Sequence, residues 1–168
     1  MVEASAKSYQ HEDPWKWCLI REVGKRYGLK TLIETGGYHG GTMEFLKGDF
    51  DRLVTIELGD KLYDEIYGRC IPNVLCLRGD SGRLLSQFLM FYEDAALYWL
   101  DAHPSGGDSV GLVSGQSVID RELYAILERN HPKDVILVDD IGYPGLEDAV
   151  INDVIALYPG WVAQFYGS

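Results

Sequence analysis

Hydrophobic residues along the chain fall into short apolar runs separated by longer stretches with helical spacing. Each run is rich in β-branched or aromatic residues and ends near a glycine or an acid, which is typical of β-strands. We predict six strands, at residues 31–35, 52–57, 74–77, 96–101, 135–139 and 161–165. Strands that alternate with helices are typical of βαβ units, so the pattern predicts an α/β fold with a doubly wound, mostly parallel sheet.

The stretches between these runs have apolar residues on one helical face. We predict helices at residues 15–27, 60–69, 81–91, 116–130 and 146–157, and another directly after the glycines that follow the first strand. The step from the fourth to the fifth strand is the longest, and its surplus is a Gly/Ser-rich stretch at residues 103–115. Because ligands bind at the carboxyl ends of parallel strands, this stretch is either a mobile lid or a solvated insertion without a role.

Length and composition indicate one globular domain. The chain has 168 residues, of which 46% are hydrophobic and 24% are charged, and this fits one domain with a sizeable core. We assign residues 1–14 to a polar N-terminal segment and residues 15–168 to the domain. The segment lacks the apolar core of a signal peptide, and no run of 18 apolar residues occurs, so we expect neither export nor a membrane partner.

The acidic charge balance narrows the class of partner. The formal net charge is −11 at pH 7 and no cluster of Lys and Arg occurs, so the protein repels phosphate backbones and anionic lipids. We therefore expect small molecules or cations as ligands, and no nucleic acid. The cysteines, Cys18, Cys70 and Cys76, have no CxxC spacing, which argues against a zinc site or a disulfide framework and favours a cytoplasmic setting.

The strongest local motif is TLIETGGYHGGT, at residues 31–42. Its glycines allow a ligand to approach the backbone closely. The motif is not the dinucleotide fingerprint GxGxxG, because Tyr38 occupies the position of the second glycine. Glu57 ends the second predicted strand about 20 residues after Gly36, where an acid can accept both hydroxyls of an adenosine ribose. The two features together indicate a ligand that contains a nucleoside.

Charge discriminates between nucleoside cofactors. Glu34 lies beside the turn and the loop has no Lys or Arg, so a pyrophosphate is repelled while a sulfonium and an ammonium are attracted. S-adenosylmethionine (SAM) carries both cations, and its carboxylate can lie at the helix N-terminus near Gly40 and Thr42. SAM is therefore the expected cofactor. The other interpretation of Glu34 is a solvated acid at the end of a strand.

Five motifs in order along the chain resemble one protein family. They are ETG-Y-GGT at residues 34–42, TIE at 55–57, GDS at 79–81, LDAH-SGG at 100–107 and DD at 139–140. The chain resembles the class I (Rossmann-like) SAM-dependent methyltransferases, and among them a bacterial subgroup with these motifs, from about Thr31 to Tyr158. The resemblance implies a Rossmann-like α/β/α sandwich. Members of this family finish with two more strands, so the C-terminal strand hairpin is expected to be truncated and the exposed edge to be covered in a homo-oligomer.

The resemblance also implies roles for individual residues. Glu34 and the glycines line the methionine end of the cofactor, Glu57 holds the ribose, and the GDS acid and serine lie near adenine. The expected cofactor-binding residues are Glu34, Gly36, Gly37, Tyr38, His39, Gly40, Thr42, Glu57, Asp80, Ser81 and Asp101. A helix N-cap is a second interpretation of Asp80 and Ser81.

A second constellation lies at the ends of two strands expected to be neighbours: Asp101, His103, Asp139 and Asp140. Carboxylates that converge there repel one another unless a positive group intervenes, and Mg²⁺ with oxygen ligands would relieve the repulsion. The placement resembles that of metal-dependent O-methyltransferases of the catechol and macrolide-sugar kinds. Asp101, Asp139 and Asp140 are therefore the expected metal ligands, and acids bonded to backbone N–H groups are the alternative.

A metal in this position lowers the pKa of a bound hydroxyl and orients it towards the sulfonium methyl. His103 is the expected base and Asp101 shares the catalytic role, although a histidine there can also serve only in loop packing. We thus expect metal-assisted O-methylation of a small molecule by a SAM-dependent methyltransferase. The alternatives are a protein that cleaves, senses or sequesters SAM without methyl transfer, and a metal-dependent hydrolase that uses the acids.

Overall fold

The computed structural model describes residues 14–102 and 118–139 together with residues 158, 160 and 161. Helices and strands alternate within these ranges. The elements in chain order are α1 (Pro14–Tyr27), β1 (Thr31–Thr35), α2 (Gly41–Leu46), β2 (Arg52–Glu57), α3 (Asp60–Gly68), β3 (Val74–Arg78), α4 (Ser81–Leu89), β4 (Leu97–Leu100), α5 (Val118–Arg129) and β5 (Val135–Val138).

The five strands form one sheet in the order β3-β2-β1-β4-β5, and every pairing in it is parallel. The chain starts in the middle of the sheet, moves outwards through β2 to β3, and then crosses over β1 to build β4 and β5. The direction of winding reverses between β1 and β4, and ligands bind outside the carboxyl ends of the strands at such a point. The predicted doubly wound α/β fold is confirmed.

Alternating side chains of the strands build one apolar core on each face of the sheet. On β1, Leu32 packs with α1 and α2, whereas Ile33 packs with α4 and α5. The same alternation places Tyr98 and Trp99 of β4 in opposite cores, where both rings are buried, as core packing predicts. The sheet is therefore covered on both faces, and its carboxyl edge carries the polar side chains.

Some element boundaries differ from the predicted ones. The helices predicted at 81–91 and 116–130 are shorter at their ends, and β4 and β5 stop before Asp101 and Asp139. Each acid still donates its backbone N–H across the sheet, Asp101 to the Thr35 carbonyl at 3.1 Å and Asp139 to the Leu100 carbonyl at 3.0 Å. Both side chains therefore start from fixed backbone at the carboxyl edge.

Several predictions fall outside the described residues. They are the polar segment apart from Pro14, the Gly/Ser-rich stretch at 103–115, the helix at 146–157 and most of the strand at 161–165, whose first residue, Trp161, is described and is not in a strand. The assignment to one domain stays a prediction. In the part of the chain that is described, no helix is long and apolar enough to cross a bilayer. All three cysteines are free thiols.

Candidate functional site

The loop between β1 and α2 turns through left-handed backbone at three of its residues. The φ angles are +80° at Gly36, +45° at Tyr38 and +72° at Gly40. A Cβ added to Gly36 would lie 2.4 Å from the Asp101 carbonyl oxygen, and one added to Gly37 would lie 2.4 Å from Thr55 Oγ1. Glycine is required at these two positions because the loop packs directly on the ends of β4 and β2.

Glu57, at the end of β2, holds this loop in place. Its carboxylate accepts the Tyr38 N–H at 2.8 Å and the Gly59 N–H at 2.6 Å, and the residue is only 6% exposed. The acid thus fixes both the glycine loop and the start of α3. Each carboxylate oxygen has a second lone pair, so Glu57 can still accept hydrogen bonds from the hydroxyls of a ligand.

Glu34 is buried in the sheet, with 2% of its surface exposed. The Thr55 hydroxyl, on the register partner of Glu34 in β2, donates to Glu34 Oε2 at 2.8 Å. The interpretation of Glu34 as a solvated acid is therefore wrong. The pKa of Cys76 on β3 is sensitive to the charge at this edge. Burial raises the pKa of its thiol to about 11, and the negative charges of Glu57 and Glu34 add to the rise. The edge is electrostatically negative and suits a cationic ligand.

The outer side of the glycine loop contacts α3. His39 Nδ1 lies 2.8 Å from Glu65 Oε2, and a hydrogen bond with His39 is the main reason why the pKa of Glu65 is lowered. Arg69 donates to the Gly40 carbonyl at 3.3 Å and to Glu65 at 3.1 Å. The loop itself has no Lys or Arg, but Arg69, the C-cap of α3, lies beside it, which the sequence argument about charge did not anticipate. Glu65 offsets this charge.

Thr42, in the first turn of α2, connects that helix to α1. The indole Nε1 of Trp17 donates to Thr42 Oγ1 at 3.1 Å, and both residues are buried. The Thr42 hydroxyl keeps its own proton for donation. No feature of the sequence pattern indicated Trp17 as a partner, because their contact depends on how α1 packs on the sheet.

The GDS motif begins α4. Asp80 is the N-cap, and its side chain accepts the Gly82 N–H at 3.0 Å, so the N-cap interpretation is confirmed. Arg121 of α5 also binds both carboxylate oxygens of Asp80, at 2.9 and 3.2 Å. Such a bidentate pair fixes the orientation of the carboxylate. Ser81, the next residue, is 6% exposed and faces α5.

Glu122 on α5 is a buried acid beside the candidate site that the sequence interpretation missed. It has no exposed surface and lies close to Ser81 and to Thr35, whose hydroxyls act on its pKa. A signal was present in the sequence, because the helical spacing from Ile119 to Ile126 places residue 122 on the apolar face of α5. An acid on that face must either find partners or become protonated.

The ends of β4 and β5 bring Asp101 and Asp139 to adjacent positions, as predicted. Asp139 is 7% exposed and forms a short ion pair with Lys16 Nζ of α1. Lys16 thus supplies, at Asp139, the positive group that the sequence analysis expected between the converging carboxylates. His103 and Asp140 lie outside the described residues. Within the ranges 14–102 and 118–139, no three His, Cys, Asp or Glu side chains are grouped so that they could hold a metal ion.

No protein-family model matches the sequence, and no curated protein matches it significantly. Solved structures do match. The O-methyltransferase from Bacillus cereus in complex with SAH has a TM-score of 0.63 at 14% identity, covering 90% of this chain and 70% of that one. The O-methyltransferase TomG from Streptomyces achromogenes, in complex with SAM, gives 0.62 at 16%, with coverages of 90% and 70%. The SAH-bound methyltransferase PaMTH1 from Podospora anserina gives 0.57 at 17%, with coverages of 89% and 66%.

Identities this low establish a shared fold and nothing finer. A sugar N-methyltransferase, KedS8 from Streptoalloteichus, shares the fold as well, with a TM-score of 0.52 at 14% identity. The acceptor atom therefore does not follow from the architecture. The present chain spans 66 to 70% of the length of the first three proteins. It has the Rossmann-like α/β fold of these methyltransferases.

Proposed function

We propose that this protein is a SAM-dependent methyltransferase that methylates a hydroxyl group of a small molecule. The observation that carries the proposal is the pair of buried acids, Glu34 and Glu57, which flank the left-handed glycine loop at the carboxyl edge of the sheet. Buried carboxylates beside a glycine loop, whose backbone a ligand can approach closely, favour a ligand with cationic centres and a ribose. The fold shared with SAM-bound and SAH-bound methyltransferases supports the same ligand.

The described residues fit SAM in charge and in hydrogen-bonding capacity. Glu34, which is buried and accepts the Thr55 hydroxyl, would attract the ammonium group through its negative charge. Glu57 would accept from the ribose hydroxyls, and the α4 start at Asp80 and Ser81 would border the adenine. When bound, SAM supplies a methyl group on a positively charged sulfur, which an acceptor oxygen attacks in line.

Metal assistance is the second part of the proposal, and the described residues fit it only in part. Asp101 and Asp139 provide two carboxylates, but Lys16 already neutralises Asp139. An ion would compete with Lys16 and would need Asp140 in addition, with His103 as the base. If this is correct, Asp139→Asn keeps its affinity for SAM and loses turnover, whereas Lys16→Gln binds Mg²⁺ more tightly. Equal turnover with Mg²⁺ and with a chelator would contradict metal assistance.

The proposed partners follow from charge and from the open sheet edge. We propose a small-molecule acceptor and neither nucleic acid nor membrane as a partner, because the net charge is −11. The three free cysteines support the proposal of a cytoplasmic setting. We also propose a homo-oligomer, since β3 is the outermost strand on its side of the described sheet and its Leu75 is 45% exposed. Light scattering of the purified protein tests the oligomeric state.

Turnover tests the reaction directly. The protein is incubated with SAM and a panel of acceptors that present one or two adjacent hydroxyls, and the release of SAH is measured with Mg²⁺ and with a chelator. We expect SAH from the wild type and, at a subsaturating concentration of SAM, at least tenfold less from Glu34→Gln. SAM binding without SAH from any acceptor would favour a protein that senses or sequesters SAM. Hydrolysis of another substrate that persists in Gly37→Phe would favour the metal-dependent hydrolase, which does not need the glycine loop.

A further inference from the structure

A buried polar cluster lies directly beneath the proposed adenosyl site. It consists of Thr35 at the end of β1, Ser81 at the start of α4 and Glu122 on α5. Glu122 has no exposed surface, and among the described residues neither of its carboxylate oxygens has a partner with good hydrogen-bond geometry. The Thr35 hydroxyl likewise has no hydrogen-bond partner with good geometry among the described residues. Buried polar groups normally have partners, so each exception calls for an explanation.

The surroundings of Glu122 favour its uncharged form. Burial raises the pKa of Glu122 to about 8, and the negative charge of Asp80 adds to the rise. The hydroxyls of Ser81 and Thr35 and the guanidinium of Arg121 offset part of it. A protonated carboxyl group both donates and accepts hydrogen bonds, so it can join two hydroxyls without burying a charge.

The two hydroxyls belong to segments that carry proposed cofactor-binding residues. The Thr35 carbonyl accepts the Asp101 N–H at 3.1 Å, and Thr35 is followed directly by the glycine loop. Ser81 follows Asp80. Arg121, the residue before Glu122, donates to the Asp80 carboxylate at 2.9 Å and so fixes its orientation. A change at Glu122 therefore acts on both sides of the site, although Glu122 is buried below it.

We propose that Glu122 is a positioning residue for the adenosyl ligand: buried between Thr35 and Ser81, it holds the start of α4 against the end of β1. The inference rests on the proposed function, because the ligand is the one assigned there. Ionisation of Glu122 would place a charge between these segments without a cation in direct contact, and would loosen the geometry that binds the ligand.

Calorimetric titration with SAM between pH 6.5 and pH 9.5 tests the inference on wild type, Glu122→Gln and Glu122→Leu. Glu128→Gln is the matched control, because Glu128 is exposed on the same helix. Above pH 8 we expect the affinity of the wild type to fall about tenfold per pH unit relative to Glu122→Gln. Glu122→Gln should match the wild type at pH 7, and Glu122→Leu should bind about tenfold more weakly there. The α-amino group of SAM also titrates near pH 8, so only the difference between variants is diagnostic.

The outcomes separate this inference from the proposed function. Identical pH profiles for wild type and Glu122→Gln, or unchanged affinity in Glu122→Leu, would overturn the positioning role while SAM binding stands. Absence of SAM binding by the wild type at every pH would overturn the proposed function and this inference with it. Thermal unfolding without ligand checks that each variant is folded. If Glu122→Leu fails to fold, the comparison of wild type with Glu122→Gln still decides.

Discussion

The two ends of the sheet differ in whether a buried acid has hydrogen-bond partners. At the amino end, Asp134 has a side chain with no exposed surface, yet it is fully partnered: it accepts the Ala96 N–H at 2.9 Å and the Tyr98 hydroxyl at 3.2 Å, and it pairs with Arg129. At the carboxyl end, Glu122 is equally buried and has no partner with good geometry among the described residues. Asp134 thus contributes hydrogen bonds and an ion pair to the fold, whereas Glu122 is a buried acid without such partners in the described part of the chain.

This difference agrees with the different roles of the two ends of a doubly wound sheet. The amino end joins strands to the preceding turns, and the carboxylate of Asp134 is satisfied there by groups of the fold itself. The carboxyl end holds the proposed site, where buried acids lie close to the position proposed for the ligand. The burial of Tyr98 between Asp134 and Arg129, which raises the pKa of its hydroxyl far above the ordinary value, belongs to the amino-end network.

The largest effect of a single substitution at neutral pH should come from breaking the amino-end network. Asp134→Ala leaves Arg129 buried without its carboxylate and the Ala96 N–H without an acceptor, so we expect a loss of about 3–5 kcal/mol in the free energy of unfolding. Urea denaturation measures it. Asp94→Ala, at an exposed acid of the same end, should change stability little. A loss below about 1 kcal/mol for Asp134→Ala would show that the network is not a stabilising one.

Two glycines with left-handed backbone, one at each end of the sheet, differ in the space available for a Cβ atom. Gly28 has φ +66° and open space around a Cβ, whereas Gly36 has φ +80° and the Asp101 carbonyl 2.4 Å from a Cβ. Gly28→Ala should cost about 1 kcal/mol from backbone strain alone. Gly36→Ala should cost about 1–3 kcal/mol more, because the chain must also shift. Equal losses in thermal unfolding would contradict the close packing of the loop on β4.

The stability of the ligand-free protein should depend on pH through Glu122. Its pKa is about 8 in the fold and close to the ordinary glutamate value of 4.5 in the unfolded chain, so the folded state binds the extra proton between these values. Stability contributed by the protonated acid is full below about pH 4.5 and is lost as pH rises to about 8, by at most about 1.4 kcal/mol per pH unit. Unfolding curves of wild type and Glu122→Gln should diverge across this window. Parallel curves would contradict the raised pKa.

The smallest effect concerns Lys16. Its pair with Asp139 is partly exposed on the lysine side, so Lys16→Gln should lower stability by about 1 kcal/mol. Lys25→Gln, at an exposed lysine of the same helix, is the control and should be neutral. Thermal unfolding compares the two variants. If both are neutral, Lys16 does not hold α1 to the end of β5.

The sequence was sufficient for features that depend on periodicity and on chain order. The apolar runs located the five described strands, and the acids at their ends, such as Glu34 and Glu57, fall at the predicted edge. Side-chain partners could not be predicted in this way, because Lys16 is 123 residues from Asp139 and Arg121 is 41 residues from Asp80. Their contacts depend on how helices pack on the sheet. Glu122 differs, since the helical spacing of α5 was enough to place this acid on a buried face, but the sequence interpretation did not use that signal.

The central claim is that buried acids at the carboxyl edge bind the cationic end of SAM. Calorimetric titration of wild type, Glu34→Gln and Glu93→Gln with SAM, with NAD as a comparison ligand, tests it most directly. Glu34→Gln removes a buried charge and keeps an acceptor for Thr55, while Glu93 is exposed and serves as the control. The account predicts micromolar binding of SAM and not of NAD, a loss of tenfold or more in Glu34→Gln, and no change in Glu93→Gln. Wild-type affinity in Glu34→Gln would contradict it.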